Sequence, residues 1–252
     1  MKKENKHKSE INNNYMENKY NFSDKVKFLP WVGINYECGI KGFDENGIIV
    51  YGTKEDPGKK ILIVGESHYC ANLADAISKL TQIIIADLID PNSEWEPYKN
   101  TYTKFIKSLT GHLDNLEFND KKEAWEHLGF YNYVQEPMTG PRISPTPEDF
   151  KNSEEAFWEI LNELKPDLII IWGARLYNNL PQDGKQLEDL EIKCIDEDGD
   201  EDIIYIELWS YKIDGCIIPI MGITHPSTGF DTEFWNKALS IFIENFGRTS
   251  NE

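Results

Sequence analysis

Three short apolar runs in the sequence each end in polar or ionisable side chains that could do chemistry. A carboxylate, a hydroxyl, an imidazole and a phenol follow the first run, an amide ends the second, and another imidazole and hydroxyl follow the third. Carboxylate and imidazole groups can exchange protons near neutral pH, and an amide both donates and accepts hydrogen bonds. These residues are Gly65-Glu66-Ser67-His68-Tyr69, Asn132 and His225-Pro226-Ser227.

Two of these runs, and a further run at Leu168–Trp172, predict strands that are buried on both faces of a sheet. Ile61–Val64 and Leu168–Trp172 are unbroken apolar stretches bounded by turn residues, and Phe130–Val134 is aromatic and β-branched. Neighbouring parallel strands end at one rim of a sheet, where ligands of open α/β sheets bind near the point at which the strand order reverses. We therefore expect the three polar groups to converge on one site.

Helices are predicted between the strands from the three- and four-residue spacing of apolar side chains. They cover about 73–88, 102–109, 121–127, 148–164, 174–180 and 234–246, and further strands lie near 48–51, 203–209 and 216–221. This alternation predicts a three-layer α/β/α sandwich with a mainly parallel central sheet. Residues 1–25 are predicted to form a mobile polar arm, and 26–252 a single α/β domain.

The charge of the chain limits the partners that we expect. Its net charge is −18, whereas a protein that grips nucleic acid by its phosphates normally has a basic footprint. Half of this excess lies in residues 183–207, which hold eleven acidic residues against two lysines, while residues 1–27 hold seven lysines against four acidic residues. DNA therefore remains a possible partner through a locally basic face.

Membrane insertion, secretion and metal binding are not expected. No apolar run approaches the length of a membrane span, and the N-terminus lacks the apolar core of a signal peptide. The four cysteines form no Cys-x-x-Cys pair, so neither a zinc ribbon nor a cluster site is predicted. We expect a cytoplasmic protein without a metal or other cofactor.

Four segments, taken in chain order, resemble motifs of the uracil-DNA glycosylase superfamily. Ile61–Tyr69 is similar to its first motif, a hydrophobic strand that runs into Gly-Gln-Asp-Pro-Tyr or Gly-Glu-Ala-Pro-Gly. Phe130–Gln135, with Arg142 in the Pro-rich loop after it, resembles the superfamily's Asn-bearing strand and Arg/Pro loop. Leu164–Gly173 is similar to its segment of Lys-Pro, apolar strand and Gly, and His225-Pro226-Ser227 matches its His-Pro-Ser motif.

This resemblance, over about residues 60–246, implies a uracil-DNA glycosylase-like fold and a DNA glycosylase-like hydrolase. Such an enzyme cleaves the N-glycosidic bond of a flipped uracil or modified base, in DNA repair or in defence against phage DNA. The resemblance implies that Asn132 hydrogen-bonds the polar edge of the extruded base. It also implies that His225 donates to the base carbonyl as negative charge builds there. Other residues would line the base pocket (Gly65, Ser67, Tyr69) or hold the DNA backbone (Arg142, Pro226, Ser227).

The chain departs from the superfamily's first motif at the residue that activates water. Ser67 stands where Gly-Gln-Asp-Pro-Tyr has Asp, and a serine does not usefully accept a proton at neutral pH. Glu66 falls where Gly-Glu-Ala-Pro-Gly has Glu, so it is the candidate for orienting or activating water. His68 replaces a proline and is a candidate base or substrate contact. In the superfamily, a Gly-rich loop that carries a base-stacking Phe follows the first motif. This chain has residues 71–88 in its place, which favours a base other than plain uracil, such as a bulkier modified one.

Two other functions compete with this one. Gly65-x-Ser67, Asp167 and His225 follow the chain order of an α/β-hydrolase triad, but that elbow needs Gly where this chain has Tyr69. A hydrolase would bring Ser67 and His225 within hydrogen-bond reach. A glycosylase-like fold kept as a DNA- or partner-binding module would fit both the missing Asp and the acidic surface.

Overall fold

A mixed eight-stranded sheet organises the part of the chain that the computed structural model describes, which is residues 19–140, 143–195, 199, 201–227 and 229–250. In spatial order the strands are β1 (Trp31–Val32), β5 (Leu128–Asn132), β4 (Ile61–Gly65), β6 (Leu168–Trp172), β11 (Cys216–Ile223), β10 (Leu208–Ile213) and β7 (Lys185–Gln186), with β12 (Thr249–Ser250) beside β11. Two separate ribbons pair β2 (Ile40–Phe43) with β3 (Ile49–Tyr51) and β8 (Leu190–Ile195) with β9 (Glu201–Ile206).

The centre of the sheet is parallel and its edges are antiparallel. β4 pairs in parallel with β5 on one side and with β6 on the other, and β6 pairs in parallel with β11. The strands β1, β10, β7 and β12 all pair antiparallel. The predicted α/β architecture with a parallel central sheet is confirmed. From β4 the chain continues to β5 on one side, and from β6 it continues to β11 on the other, so the strand order reverses between β4 and β6.

Helices cover both faces of this sheet, as the unbroken apolar strands require. Ile61 and Ile63 of β4 belong to one apolar cluster, and Leu62 and Val64 belong to the other, because successive strand side chains point to opposite faces. The first cluster contains residues of α1 (Leu80–Leu88), α2 (Lys99–Thr110), α3 (Phe118–Glu126) and α7 (Thr232–Asn245), and the second those of α4 (Pro147–Asn152), α5 (Glu154–Leu164) and α6 (Ala174–Asn178).

Two predicted helices are interrupted in the structure. The region predicted as one helix over 73–88 holds a 3₁₀ turn at Leu73–Asp75, capped by the Asn72 side chain, and then α1. The two are separated because the backbone of Ala76, at ψ 64°, leaves the helical conformation. Helix 148–164 divides at Ser153, whose hydroxyl donates to the Asp149 carbonyl. The strand predicted over 203–209 is likewise divided, into the end of β9 and the start of β10.

The predicted N-terminal arm lies mostly outside the described residues, which begin at 19. The described part of it contacts the domain, since the Tyr20 hydroxyl donates to Glu37 at 2.6 Å and the Ser23 hydroxyl donates to Glu159 at 2.6 Å. None of the helices in the described ranges has the length and apolar character needed to cross a membrane.

Candidate functional site

A cavity of about 980 Å³ opens at the carboxyl ends of the parallel strands. It lies where β4 and β6 end, which is the point in the sheet at which ligands of open α/β folds bind. We name its two sides by the elements that supply them. The strand-end wall contains Gly65, Glu66, Ser67, His68, Tyr69, Asn132, His225 and Ser227, and the helix wall contains Leu80, Ile84, Tyr98, Thr101 and Tyr102.

Backbone register brings Gly65 and Asn132 together in the strand-end wall. Gly65 is the last residue of β4 and lies opposite Asn132, the last residue of β5. A Cβ added to Gly65 would lie 2.3 Å from Asn132 Oδ1, so only glycine leaves room for this amide. The ladder continues beyond β5, where Tyr133 N–H donates to the Gly65 carbonyl at 2.9 Å. Both the position and the surroundings of Asn132 are therefore set by the sheet.

His68 is buried against Asn132 rather than free in the cavity. Its Nε2 lies 2.8 Å from Thr81 Oγ1, and the Asn132 amide nitrogen is 3.2 Å from the ring nitrogens. Because the side chain is only 3% exposed, desolvation lowers the pKa of His68 to about 4, and the ring is neutral at pH 7. A neutral ring can accept from Asn132 at Nδ1 while donating to Thr81 at Nε2, which fixes the orientation of the amide.

His225 is placed differently, in the exposed turn that follows β11. The Ser227 backbone N–H donates to His225 Nδ1 at 3.3 Å, and Ser227 Oγ lies 2.9 Å from the same nitrogen. Since Nδ1 accepts, the neutral ring carries its proton on Nε2 and can donate it to a ligand. Partial desolvation in the cavity mouth lowers the pKa of His225; Glu66 opposes this shift and the Arg175 guanidinium adds to it.

Glu66 is held by an arginine that the sequence reasoning missed. Arg175 Nε donates to Glu66 Oε2 at 2.7 Å, and its two terminal nitrogens donate to Glu66 Oε1 and to Ser144 Oγ. The signal that could have found it is position, because Arg175 follows the carboxyl end of β6 by three residues. Gly173, at φ +97°, turns the chain from β6 into α6. This turn places Arg175 so that its side chain reaches Glu66 at the end of β4.

The structure brings together most of the residues that the sequence singled out. Pro226 is buried in the turn between His225 and Ser227 and does not line the cavity, and Arg142 lies outside the described residues.

The helix wall was not predicted. Its residues have the same spacing as core residues, so no signal in the sequence separates them from the core.

The hydrolase triad is not assembled. Asp167 lies just before β6, at the amino end of the strand, where its carboxylate accepts from the Lys60 backbone N–H at 2.8 Å. His225 lies at the opposite, carboxyl end of the sheet and pairs with Ser227 rather than with Ser67. The serine-hydrolase alternative therefore lacks its acid and its nucleophile–base contact.

An aromatic cluster that includes Tyr102 of the helix wall borders the cavity. The rings of Tyr102, Phe130 and Trp172 lie 5.2–5.6 Å apart, centre to centre, and all three line the cavity. Phe130 and Trp172 are only 1% and 3% exposed, whereas Tyr102 is partly exposed. Tyr102 is therefore the candidate among them for the stacking residue that the sequence could not identify, because an exposed ring can offer a flat apolar surface to a planar ligand.

The described residues contain no group of three or more His, Cys, Asp or Glu side chains that could hold a metal ion. The lining of the cavity combines a carboxylate, a donor imidazole and a buried amide with apolar and aromatic side chains. No protein-family model matches the sequence, and no curated protein matches it either.

Proposed function

We propose that this chain is a uracil-DNA glycosylase-like hydrolase that cleaves the N-glycosidic bond of a base flipped out of DNA. The observation that carries the proposal is that Glu66, Asn132 and His225, from three separate segments, line one cavity at the reversal point of the sheet. The proposal is supported by the resembling motifs, which lie on β4, on β5, on β6 and in the turn after β11, in the chain order of the superfamily's motifs.

Each of the three side chains has a role in this reaction. Water attacks C1′ of the sugar while the bond from C1′ to the base breaks and its electron pair leaves with the base. Glu66 accepts the proton of the water, because an ionised carboxylate keeps free acceptor sites after receiving the bonds from Arg175. His225 donates from Nε2 to the base oxygen on which charge builds, and Asn132 hydrogen-bonds the polar edge of the base.

The distribution of charge supports DNA as the partner despite the net charge of −18. None of the described residues between 183 and 207 lines the cavity, so the acidic segment is separate from the site. Lys104 donates to the Ser227 carbonyl at 3.3 Å, which puts a cation beside the turn that would hold a phosphate. Arg175 neutralises Glu66 at the same mouth.

The size of the cavity supports a modified base over plain uracil. Drug-sized ligands occupy cavities of about 300–1,000 Å³, and this cavity of about 980 Å³ is at the upper end of that range. A single pyrimidine ring would leave the helix wall unused. We therefore propose a base enlarged by a substituent, as occurs in modified phage DNA, and a role in repair or in defence against such DNA.

The direct test measures abasic sites in oligonucleotides that carry uracil, a deaminated purine or glycosylated hydroxymethylcytosine, each single- and double-stranded. We expect cleavage of at least one substrate by the wild type, and a loss of about 10²- to 10³-fold with His225→Ala, since one donor to the developing charge is removed. Lys165→Ala is the matched control, because this exposed lysine pairs with Asp214 far from the cavity. Equal rates for wild type and His225→Ala on every substrate would refute the proposal.

A DNA-binding module without catalysis is the second candidate, favoured by the engagement of both Glu66 oxygens with Arg175. Its signature in the same experiment is association with the oligonucleotides that weakens as salt is raised, with no abasic sites on any of them.

A further inference from the structure

Glu66 and Arg175 form a bidentate ion pair in the wall of the cavity. The two donors of Arg175 meet the two oxygens of Glu66 in a bidentate arrangement, and a third donor reaches Ser144. Arg175 thus ties the end of β4 and the start of α6 to the loop that precedes α4. A planar fork of this kind fixes the plane of the carboxylate as well as its distance.

This pair differs from an ordinary surface ion pair in its burial. The Glu66 side chain is only 15% exposed, although the Arg175 side chain that pairs with it is 52% exposed. The Lys165–Asp214 pair makes one contact of 2.9 Å between side chains that are 49% and 54% exposed. Single contacts between exposed charges are worth little, whereas a shielded bidentate pair holds a definite geometry.

We propose that Arg175 is the positioning residue for Glu66, which holds the carboxylate in the orientation that receives the proton of the attacking water. The inference rests on the proposed function. The guanidinium occupies one side of the carboxylate, so water can approach only the remaining lone pairs. Arg175 acts through Glu66 in this scheme and does not bind substrate.

The scheme predicts how the two residues depend on each other. Arg175→Ala should lower kcat about 10- to 100-fold, a larger effect than on KM, because a misoriented group costs rate more than binding. Arg175→Lys keeps the charge but loses the fork, so it should recover only part of that rate. In a Glu66→Ala background, Arg175→Ala should cause no further loss, since its effect passes through Glu66.

The experiment is a double-mutant cycle of Arg175→Ala and Glu66→Ala on the best cleaved oligonucleotide, with Lys165→Ala as the control. A further loss in the Glu66→Ala background, or a raised KM with unchanged kcat, would overturn the proposal and indicate a substrate-binding arginine.

A second readout does not depend on activity. In wild type, the Arg175 Nε–H should exchange slowly with solvent in ¹⁵N NMR spectra, and Glu66→Ala should make this exchange fast. Fast exchange in wild type would also overturn the proposal. A wild type that cleaves no substrate refutes the proposed function instead, and the Nε–H signal then still decides whether Arg175 holds Glu66.

Discussion

The two walls of the cavity differ in how the chain builds them. In the strand-end wall, each polar side chain follows a buried strand by a few residues, and the sheet's register fixes where it lies. In the helix wall, the side chains come from α1, from the first turns of α2 and from Tyr98 just before α2, and their positions depend on how these helices pack. Under the proposed function, the sheet would position the reacting groups and the helices would determine which base fits. Mutations should therefore separate the two properties.

The strongest test of the strand-end wall is Asn132→Leu. This change removes the group that would read the base and leaves the buried His68 ring nitrogen without its donor. We expect kcat/KM to fall roughly 10²- to 10³-fold on every cleaved base. The control is Asn162→Leu, which removes an exposed amide on α5 that donates to the Trp158 carbonyl. A loss confined to one base would show that Asn132 determines which base is cleaved, and the two walls would then not have separate roles.

The burial of His68 should appear in the pH dependence of stability. Its pKa is about 4 in the folded protein and about 6.5 in the unfolded chain, so the unfolded state binds the proton more tightly. The contribution of His68 to the free energy of unfolding is fully present above pH 6.5 and is lost as pH falls from there through about 4. The total decrease in the free energy of unfolding is about 3 kcal/mol. Denaturant unfolding of wild type and His68→Gln between pH 7 and pH 4 measures it. Parallel curves for the two proteins would show that His68 does not titrate in this way.

Gly65→Ala tests whether the sheet positions the amide. The new Cβ would lie 2.3 Å from Asn132 Oδ1 and 3.1 Å from Phe130 Cζ, which forces the amide to move. We expect a 10- to 100-fold loss of kcat. Gly129→Ala is the control, because its Cβ would meet Leu62 and Tyr36 side chains at 3.2 Å, crowding the same sheet away from the cavity. Equal losses from the two substitutions would mean that the effect is general overpacking and not displacement of Asn132.

These differences also explain what the sequence could and could not predict. Unbroken apolar runs predicted β4 and β6, and the residues after the strands predicted most of the strand-end wall, because sheet geometry leaves little choice at a strand's carboxyl end. The edge strands β1 and β7 are only two residues long, which is too short for a periodic signal. The pairing of Glu66 with Arg175 joins residues far apart in the chain and depends on the positive φ of Gly173, which the residue type permits but does not require.

The helix wall is tested by filling it. Ile84→Trp adds a large ring to the helix wall and leaves the Glu66, Asn132 and His225 side chains unchanged. We expect cleavage of an enlarged base to fall about 10-fold while cleavage of uracil is retained, since a filled pocket discriminates by size. The adjacent Ile83→Trp is the matched control, because Ile83 lies on the same helix, is 37% exposed and does not line the cavity. If Ile84→Trp reduced both activities equally, the helix wall would be part of the catalytic geometry and the two walls would not be separable.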